Sequence, residues 1–341
     1  MNLINKRNQL AMNVSITNEC NRRCEYCFQK SWYLAKDKDH IKEMSVDTFK
    51  EILTWCNSDY GFNILGGEPL LHSNINDILI AARDASKYIV LITNLIVPYE
   101  KISYIVDNFT NKPIFNWLLN TDYFDTQEKV FLKNISILKD TNITLSVTLL
   151  PDDKKIKKSL SRMNTIIGIL KDTNNNISIR ISPTTPNYLS TYNNKFDYTK
   201  NIIKYIDSVW KQYKKCSIEF DCHINYCEID VDQLEDHFGD DAEKYLNYHT
   251  NVCDNGAIDI LVDNSVIWCS SCKHIKVDDF RNYDNLNVCR NELYKQWKQY
   301  WKSTKLKCNY QICDKFNPAK CSGLCAGRNY IADNYNNEGA I

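Results

Sequence analysis

The sequence predicts an α/β fold, in which a partial, TIM-like (β/α)6 barrel over residues 1–215 is followed by a small cysteine-rich α+β domain over residues 216–341. Short β-rich runs alternate with helical patterns through the first two-thirds of the 341 residues, which is typical of a parallel sheet with right-handed crossovers. Six such β–α units are too few for a closed eight-unit barrel. From about residue 216 the helical periodicity weakens and cysteines become frequent.

Six β-rich runs predict the strands. The first, MNVSIT, leads directly into a cysteine loop, and the third, YIVLITN, is apolar almost throughout, as strands buried on both faces are. The six strands are predicted at residues 12–17, 61–67, 88–94, 114–120, 143–150 and 177–182.

Helical patterns separate or follow these strands, and Ser45 is placed to cap the first helix. The helices are predicted at residues 45–56, 74–85, 99–109, 126–140, 154–173 and 199–215. Further along, residues 256–263 and 265–269 predict a small β-hairpin. Residues 292–303 carry Leu293, Trp297, Tyr300 and Trp301 on one helical face, a pattern that favours core packing over a docking surface.

Composition excludes several classes of partner. Lysine plus arginine and aspartate plus glutamate each number 42, so the formal net charge is +0 and no basic field attracts nucleic acid. Residues 1–16 contain no apolar stretch long enough for a signal peptide, and no run of about 18 apolar residues indicates a membrane span. We therefore expect a cytoplasmic protein with neither nucleic-acid nor membrane partners.

The cysteines indicate metal binding. There are 15, with four before residue 60, none from 57 to 215 and eleven after that. Cytosolic thiols stay reduced, so a cysteine-rich cytosolic chain is expected to bind metal or to use thiols in catalysis. The uneven placement predicts two modules with different metal chemistry.

The first three cysteines lie in one loop, NECNRRCEYCFQK, with the spacing C-x3-C-x2-C directly after the first predicted strand. Three thiols cannot all pair in disulfides, and three ligands do not complete a structural zinc site. An iron–sulfur cluster held by cysteine alone takes four thiolates. Three cysteines would therefore leave one iron open to another molecule. The alternative is a zinc site that takes a fourth ligand such as His40.

This loop, with Tyr26 and Phe28 beside its last cysteine, resembles the signature of the radical S-adenosylmethionine (SAM) superfamily. The resemblance implies a [4Fe–4S] cluster held by Cys20, Cys24 and Cys27, with the amine and carboxylate of SAM on the fourth iron. It also implies reductive cleavage of SAM to methionine and a 5′-deoxyadenosyl radical, which removes a hydrogen atom from the substrate. A flavodoxin- or ferredoxin-type protein would donate the electron.

The resemblance also implies SAM contacts at the ends of the later strands. LGGEPLLH ends the second strand, where such a stretch binds the methionyl amine, and the fourth strand ends in LLNTD, where Asn120 stands in place of a serine. The arginine that follows in relatives has no clear match, and Lys129 or Lys133 would have to replace it. The implied SAM-binding set is Phe28, Gly66, Gly67, Glu68, Pro69, Thr93, Asn94, Asn120, Asp122, Arg180 and Ser182.

The later cysteines resemble the SPASM or twitch extension of radical SAM enzymes, which holds one or two auxiliary iron–sulfur clusters. The implied ligands are Cys222, Cys227, Cys253, Cys269, Cys308, Cys313, Cys321 and Cys325. Asn264 replaces the usual glycine, and the spacing of the last four cysteines departs from that of relatives. Either those four hold a second cluster, or Cys325 belongs to the first; zinc in the late group is a further alternative.

The remaining four cysteines have no assigned ligand role. We expect Cys56 to be a buried thiol, and one of Cys216, Cys272 and Cys289 could donate a hydrogen atom. The resemblance implies a peptide or protein substrate that is cross-linked, epimerised or oxidised. A small molecule such as a sugar, nucleotide or amino acid is the alternative substrate, and a non-enzymatic metal scaffold is the third hypothesis.

Overall fold

The structure is a computed structural model. It describes residues 12–24, 27, 41–56, 61–85, 88–110, 115–149, 153–171, 177–183, 195–212, 217–220, 231–239, 258–270 and 272–304. The predicted α/β class is confirmed, because strands and helices alternate and the first four strands pair in parallel. None of the helices in the described residues is long and apolar enough to cross a membrane.

Strands and helices are numbered here in chain order. The strands are β1 (Met12–Thr17), β2 (Phe62–Gly66), β3 (Ile89–Thr93), β4 (Phe115–Asn120), β5 (Ile143–Leu149), β6 (Ile177–Pro183), β7 (Ser217–Phe220), β8 (Asp259–Ile260), β9 (Val266–Ile267) and β10 (Lys276–Val277). The helices are α1 (Val46–Trp55), α2 (Ile75–Asp84), α3 (Tyr99–Ile105), α4 (Glu128–Ile137), α5 (Asp153–Leu170), α6 (Lys195–Gln212), α7 (Val231–Phe238) and α8 (Leu286–Thr304).

The chain divides into two compact units, and the first comprises Met1–Ile143 and Asn255–Gln299. Its strands are ordered β10-β9-β8-β1-β2-β3-β4. The pairs β8–β1, β1–β2, β2–β3 and β3–β4 are parallel, whereas β8–β9 and β9–β10 are antiparallel. A parallel sheet therefore carries the loops after β1, β2, β3 and β4 at the same edge.

The core of this unit follows from the apolar strands and from one apolar face on each helix. Val14 and Ile16 of β1 and Leu91 of β3 are buried, and helix α1 buries Phe49 and Ile52, three positions apart, on one face. The predicted cap of this helix is confirmed, because the Ser45 hydroxyl accepts a hydrogen bond from the backbone N–H of Thr48 at 3.0 Å.

The predicted β-hairpin is confirmed as the antiparallel strands β8 and β9, and Asn264 lies in the turn between them. Asn264 has a φ of 72°, in the left-handed region that glycine occupies most readily. Asparagine tolerates that region better than most residues. The structure thus keeps the backbone that the usual glycine would provide. Strand β8 also pairs with β1, so this hairpin extends the sheet of the first unit.

The second unit comprises Thr144–Asp254 and Tyr300–Ile341. Its strands are ordered β5-β6-β7, and β6 pairs with β7 in parallel. Helix α6 packs against α5 and α7, and His237 of α7 contacts Asp207 of α6 at 3.0 Å. The functional boundary predicted between residues 215 and 216 stays a prediction, although residues 258–299 lie within the first compact unit.

Candidate active site

The first unit gathers the predicted loops at the carboxyl edge of its parallel strands. The cysteine loop follows β1, the GGEP stretch follows β2, Thr93 ends β3, and Asn120 ends β4. In open and barrel-like parallel sheets, this edge is where ligands bind. Hydrogen bonds join three of these four loops, those after β1, β2 and β3.

Gly66 and Gly67 let the chain after β2 cross directly over the end of β1. The Gly67 N–H donates to the carbonyl of Thr17 at 2.7 Å, and the Glu68 N–H donates to that of Glu19 at 2.7 Å. A β-carbon on Gly67 would lie 2.2 Å from the Glu19 oxygen, and one on Gly66 would lie 2.3 Å from that of Thr17. Both positions therefore require glycine for chain packing, whatever ligand they approach.

Glu68 joins the second loop to the third. Its side chain is 1% exposed. One carboxylate oxygen accepts from the Leu70 N–H at 3.0 Å and the Thr93 hydroxyl at 2.7 Å, and the other accepts from the Asn94 N–H at 2.7 Å. Burial raises the pKa of Glu68, while these hydrogen bonds and the charge of Arg22 oppose that rise. The predicted contact of Glu68 with SAM stays a prediction.

Asn94 joins the third loop to the cysteine loop. Its amide donates to the Asn21 side chain at 2.9 Å, and its own oxygen accepts from the Ile96 N–H at 2.8 Å. The next residue, Leu95, is buried with a φ of 57°, which is strained for a side chain of this size. Asn134 of α4 holds this backbone, donating to the carbonyls of Leu95 and Val97 at 2.7 and 2.8 Å.

In the fourth loop, which follows β4, the side chain of Asn120 stabilises the turn. The Asn120 side-chain oxygen accepts a hydrogen bond from the N–H of Asp122 at 3.0 Å, so an asparagine in place of the expected serine can turn the chain with its own amide.

The other predicted SAM-binding residues lie in different places. Pro69 begins a short 3-10 helix, Pro69–Leu71. Arg180 and Ser182 lie on β6 of the second unit, whereas Phe28 and His40 lie outside the described residues.

The cysteine loop supplies three half-buried thiols that form no disulfide, those of Cys20, Cys24 and Cys27. The Cys27 N–H donates to the Cys24 carbonyl at 3.2 Å. Burial, with smaller effects from Glu68 and the other two thiols, raises the pKa of Cys20 to about 11. A bound metal would reverse this preference, because coordination removes the thiol proton.

The three thiols are of the chemical type that binds an iron–sulfur cluster. Thiolates are the ligands of such clusters, and the three thiols are close enough to affect the pKa of Cys20. In the part of the chain that the structure describes, no three His, Cys, Asp or Glu side chains are already arranged to hold a metal ion. The loop thus provides the donor set, and metal binding would have to bring the donors together.

Arg22 is a site residue that the sequence analysis did not single out. It lies between the first two cysteines and is 4% exposed, and its Nε and Nη1 atoms are buried without a hydrogen-bond partner among the described residues. Its guanidinium carbon lies 5.4 Å from the centre of the Phe124 ring, after β4. The only sequence signal for it is the Arg-Arg pair inside the loop.

Of the predicted auxiliary ligands, Cys269 lies in the described residues and is half-buried. The N–H of Cys272 donates to the Cys269 carbonyl at 2.7 Å, so the two cysteines share a tight turn after β9. The others, Cys222, Cys227, Cys253, Cys308, Cys313, Cys321 and Cys325, lie outside the described residues, as does Cys216.

The remaining described cysteines are buried. The Cys56 sulfur lies 3.6 Å from the Met12 sulfur, which confirms the predicted buried thiol. Cys289 of α8 is also buried, and burial raises its pKa to about 12. On the same helix Leu293 and Trp297 are buried, which confirms the predicted core face for these two residues.

Comparison with known proteins identifies the class of domain. Residues 14–117 match the model of the radical SAM superfamily. This stretch runs from β1 to β4 and contains the cysteine loop and the GGEP stretch. The chain therefore contains a radical SAM domain.

One curated relative is the GTP 3′,8-cyclase of Microcystis aeruginosa (strain NIES-843 / IAM M-2473). It is 30% identical over 105 residues, which make up 28% of this chain and 28% of the cyclase. The chain thus matches less than a third of that relative's length.

Among solved structures, the fold is similar to that of SuiB from Streptococcus suis. The structure of SuiB and that of SuiB bound to S-adenosylmethionine each give a TM-score of 0.53, at 11% and 12% identity. SuiB bound to its precursor peptide SuiA gives a TM-score of 0.50 at 12% identity. In the first two cases the match covers 77% of this chain and 60% of SuiB.

Proposed function

We propose that this protein is a radical SAM enzyme that uses SAM to abstract a hydrogen atom from a peptide substrate. The observation that carries the proposal is the joining of the cysteine loop, the GGEP stretch and the end of β3 at the carboxyl edge of one parallel sheet. Glu68 and Asn94 make that connection through their hydrogen bonds.

In this proposal Cys20, Cys24 and Cys27 hold a [4Fe–4S] cluster. When bound, the cluster would supply one electron that breaks the sulfur–C5′ bond of SAM, giving methionine and a 5′-deoxyadenosyl radical that takes a hydrogen atom from the substrate to become 5′-deoxyadenosine. A flavodoxin- or ferredoxin-type protein would replace that electron.

The protein's own contribution is to hold the loops in place. Glu68 fixes the ends of β2 and β3 relative to each other, and Asn94 fixes the end of β3 relative to the cysteine loop. Six predicted SAM-binding residues lie at these two strand ends and are thereby held at one edge of the sheet: Gly66, Gly67, Glu68, Pro69, Thr93 and Asn94. Such preorganisation lowers the entropy that binding must remove.

A peptide substrate is favoured by the fold. SuiB, which has been solved with its precursor peptide SuiA, matches 77% of this chain. The cysteines after residue 216 support auxiliary iron–sulfur clusters in the same proposal. Cys269 would be one ligand, together with the cysteines that lie outside the described residues.

A small-molecule substrate is the second candidate. The similarity to a GTP 3′,8-cyclase favours it, at 30% identity over 105 residues. That match covers only 28% of this chain, so it includes little of the sequence that would distinguish substrates.

The test is to incubate the anaerobically purified, reduced protein with SAM and to measure methionine and 5′-deoxyadenosine. We expect both products, and we expect neither from the Cys20→Ala/Cys24→Ala/Cys27→Ala variant. Cys56→Ala is the matched control, because Cys56 is buried away from the loop and should leave product formation intact. Absence of both products from cluster-loaded wild-type protein would contradict the proposal.

A second experiment tests whether the substrate is a peptide or a small molecule. Candidate precursor peptides and GTP are supplied separately, and mass spectrometry follows changes in each. A peptide that changes mass only with SAM and reductant supports the peptide proposal. Conversion of GTP with no change in any peptide would favour the small-molecule candidate.

A further inference from the structure

The strongest unexplained feature of the first unit is the buried guanidinium of Arg22. Arginine is rarely buried unless it is paired. In this case the side chain is 4% exposed, and Nε and Nη1 have no hydrogen-bond partner in the described part of the chain. An unpaired buried charge is strongly destabilising, so a group of opposite charge is expected to complete this site.

The nearby protein groups do not complete it. No described carboxylate forms an ion pair with Arg22, and Glu68, whose pKa responds to the charge of Arg22, already accepts three hydrogen bonds from other residues. The Phe124 ring, whose centre lies 5.4 Å from the guanidinium carbon, offers a cation–π contact but no anionic oxygen. Arg22 therefore retains donors that no described side chain pairs with.

The adjacent arginine shows that the burial of Arg22 is not a general property of the loop. Arg23 is exposed, and its Nη1 donates to the carbonyls of Cys20 and Arg22 at 2.7 and 2.8 Å. Arg23 thus binds the backbone of the loop from the outside. Arg22, in contrast, is buried, and its guanidinium lies near the Phe124 ring in the segment that follows β4.

We propose that Arg22 binds the carboxylate of SAM. The inference rests on the proposed function, because it requires SAM at the cysteine loop. SAM carries one anionic group, its methionyl carboxylate, which a buried cation beside the cofactor can pair with; the anionic cluster is the competing partner that the test must separate. A guanidinium grips a carboxylate along either the Nε/Nη2 edge or the Nη1/Nη2 edge, and each edge contains one of the unpartnered atoms.

The other candidate cations are placed differently. Lys129 and Lys133, which the sequence analysis considered for the carboxylate, are exposed on α4, and the Lys133 ammonium lies 4.4 Å above the Tyr99 ring. Among the described residues of the first unit, Arg22 is the one buried lysine or arginine. It therefore takes the role that the missing arginine after β4 would have had.

The test compares two ligands in two proteins. Dissociation constants for SAM and for decarboxylated SAM, which lacks only the carboxylate, are measured by calorimetry on cluster-loaded, oxidised protein. We expect the wild type to bind SAM about 10- to 100-fold more tightly, as a charged hydrogen-bonded pair would allow. In Arg22→Gln that ratio should fall about 10-fold, with unchanged iron and sulfide content, and any preference for SAM that remains comes from the bond between its carboxylate and the iron.

Arg83→Gln is the matched control, since Arg83 lies on α2 and forms a partly exposed ion pair with Asp84. It should keep the wild-type ratio. If Arg22→Gln keeps that ratio too, or weakens both ligands equally, the proposal is wrong and Arg22 acts on the loop or the cluster instead.

If Arg22→Gln loses its cluster, the same ratio of dissociation constants is measured on Arg22→Lys. This variant keeps the positive charge but lacks the planar guanidinium that binds a carboxylate through two hydrogen bonds. An intermediate ratio supports the proposal, and the full wild-type ratio contradicts it. Failure of the proposed function is a separate result, in which cluster-loaded wild-type protein binds neither ligand.

Discussion

At the end of β2, Gly66 and Gly67 allow the GGEP stretch to pack closely against the segment that ends β1. The hydrogen bonds from Gly67 and Glu68 to the β1 segment are both 2.7 Å long, and a β-carbon on Gly67 would enter the space of the Glu19 oxygen. The family resemblance assigned these two glycines to SAM binding. The structure adds a second reason that requires no ligand, because the GGEP stretch must cross the end of β1 for its neighbouring loops to meet.

We predict that Gly67→Ala destabilises the protein by about 1–3 kcal/mol, as overpacking does. The reason is the distance of 2.2 Å between the new β-carbon and the Glu19 oxygen. Chemical denaturation followed by circular dichroism measures the free energy of unfolding. Gly168→Ala is the control, because Gly168 lies in α5 with no atom within 4 Å of the new carbon. It should be neutral or stabilising by about 0.5–1 kcal/mol. Equal stability of Gly67→Ala and wild type would show that the crossing can relax.

At the scale of elements, hydrophobic pattern and capping were sufficient for the main strands and helices. Ser45 and the apolar spacing that follows it predicted α1, and the structure places the cap and the buried face accordingly. Strands β8 and β9 were predicted as a hairpin, but their pairing with β1 was not. Two-residue strands have too little pattern to indicate a partner, and Asn13 and Asp259 are separated by 246 positions.

A buried polar network accompanies that pairing. Asn63 donates to Asn13 at 2.7 Å, Asn13 donates to Asp259, and Ser270 donates to the other oxygen of Asp259. Burial raises the pKa of Asp259 to about 6, although the hydrogen bonds from Ser270 and Asn13 oppose the rise. The carboxyl group at the β1–β8 contact is therefore easier to protonate in the folded protein than in the unfolded chain.

We predict that this network makes stability depend on pH. Because the folded-state pKa of Asp259 lies above its ordinary value of 3.8, the folded protein binds the proton more tightly, and stability falls as pH rises through about 6. Between pH 5 and pH 7 the loss should be about 1 kcal/mol. Asp259→Asn, which keeps the size of the side chain, should remove this part of the pH dependence. Urea denaturation at both pH values measures it, and an equal slope in the variant would contradict the assignment.

At the scale of the whole molecule, the sequence was most informative where chemistry dictates residue type. Cys20, Cys24 and Cys27 were recognisable because few functions need three thiols at this spacing. Arg22 and Asn134 were not, because their roles depend on burial and on backbone carbonyls from distant segments. Arg22 is adjacent to an ordinary exposed arginine in the sequence, and only three-dimensional packing separates the two.

The two groups of cysteines should be separable by metal content. If the loop cysteines and the later cysteines hold different clusters, replacing the loop cysteines with alanine should remove about four irons and four sulfides per chain and leave the rest. Cys269→Ala should instead reduce the remainder and leave the SAM-dependent cluster intact. Iron, zinc and sulfide are measured on anaerobically prepared wild type and both variants.

Cys289→Ala is the control for that experiment, since Cys289 is buried in α8 and is assigned to no cluster. It should keep the metal content of the wild type. Zinc retained by the loop-cysteine variant would assign the late cysteines to a zinc site, because four thiolates suit zinc as well as iron. Complete loss of both iron and zinc from that variant would contradict the division, since the later cysteines would then hold no metal of their own.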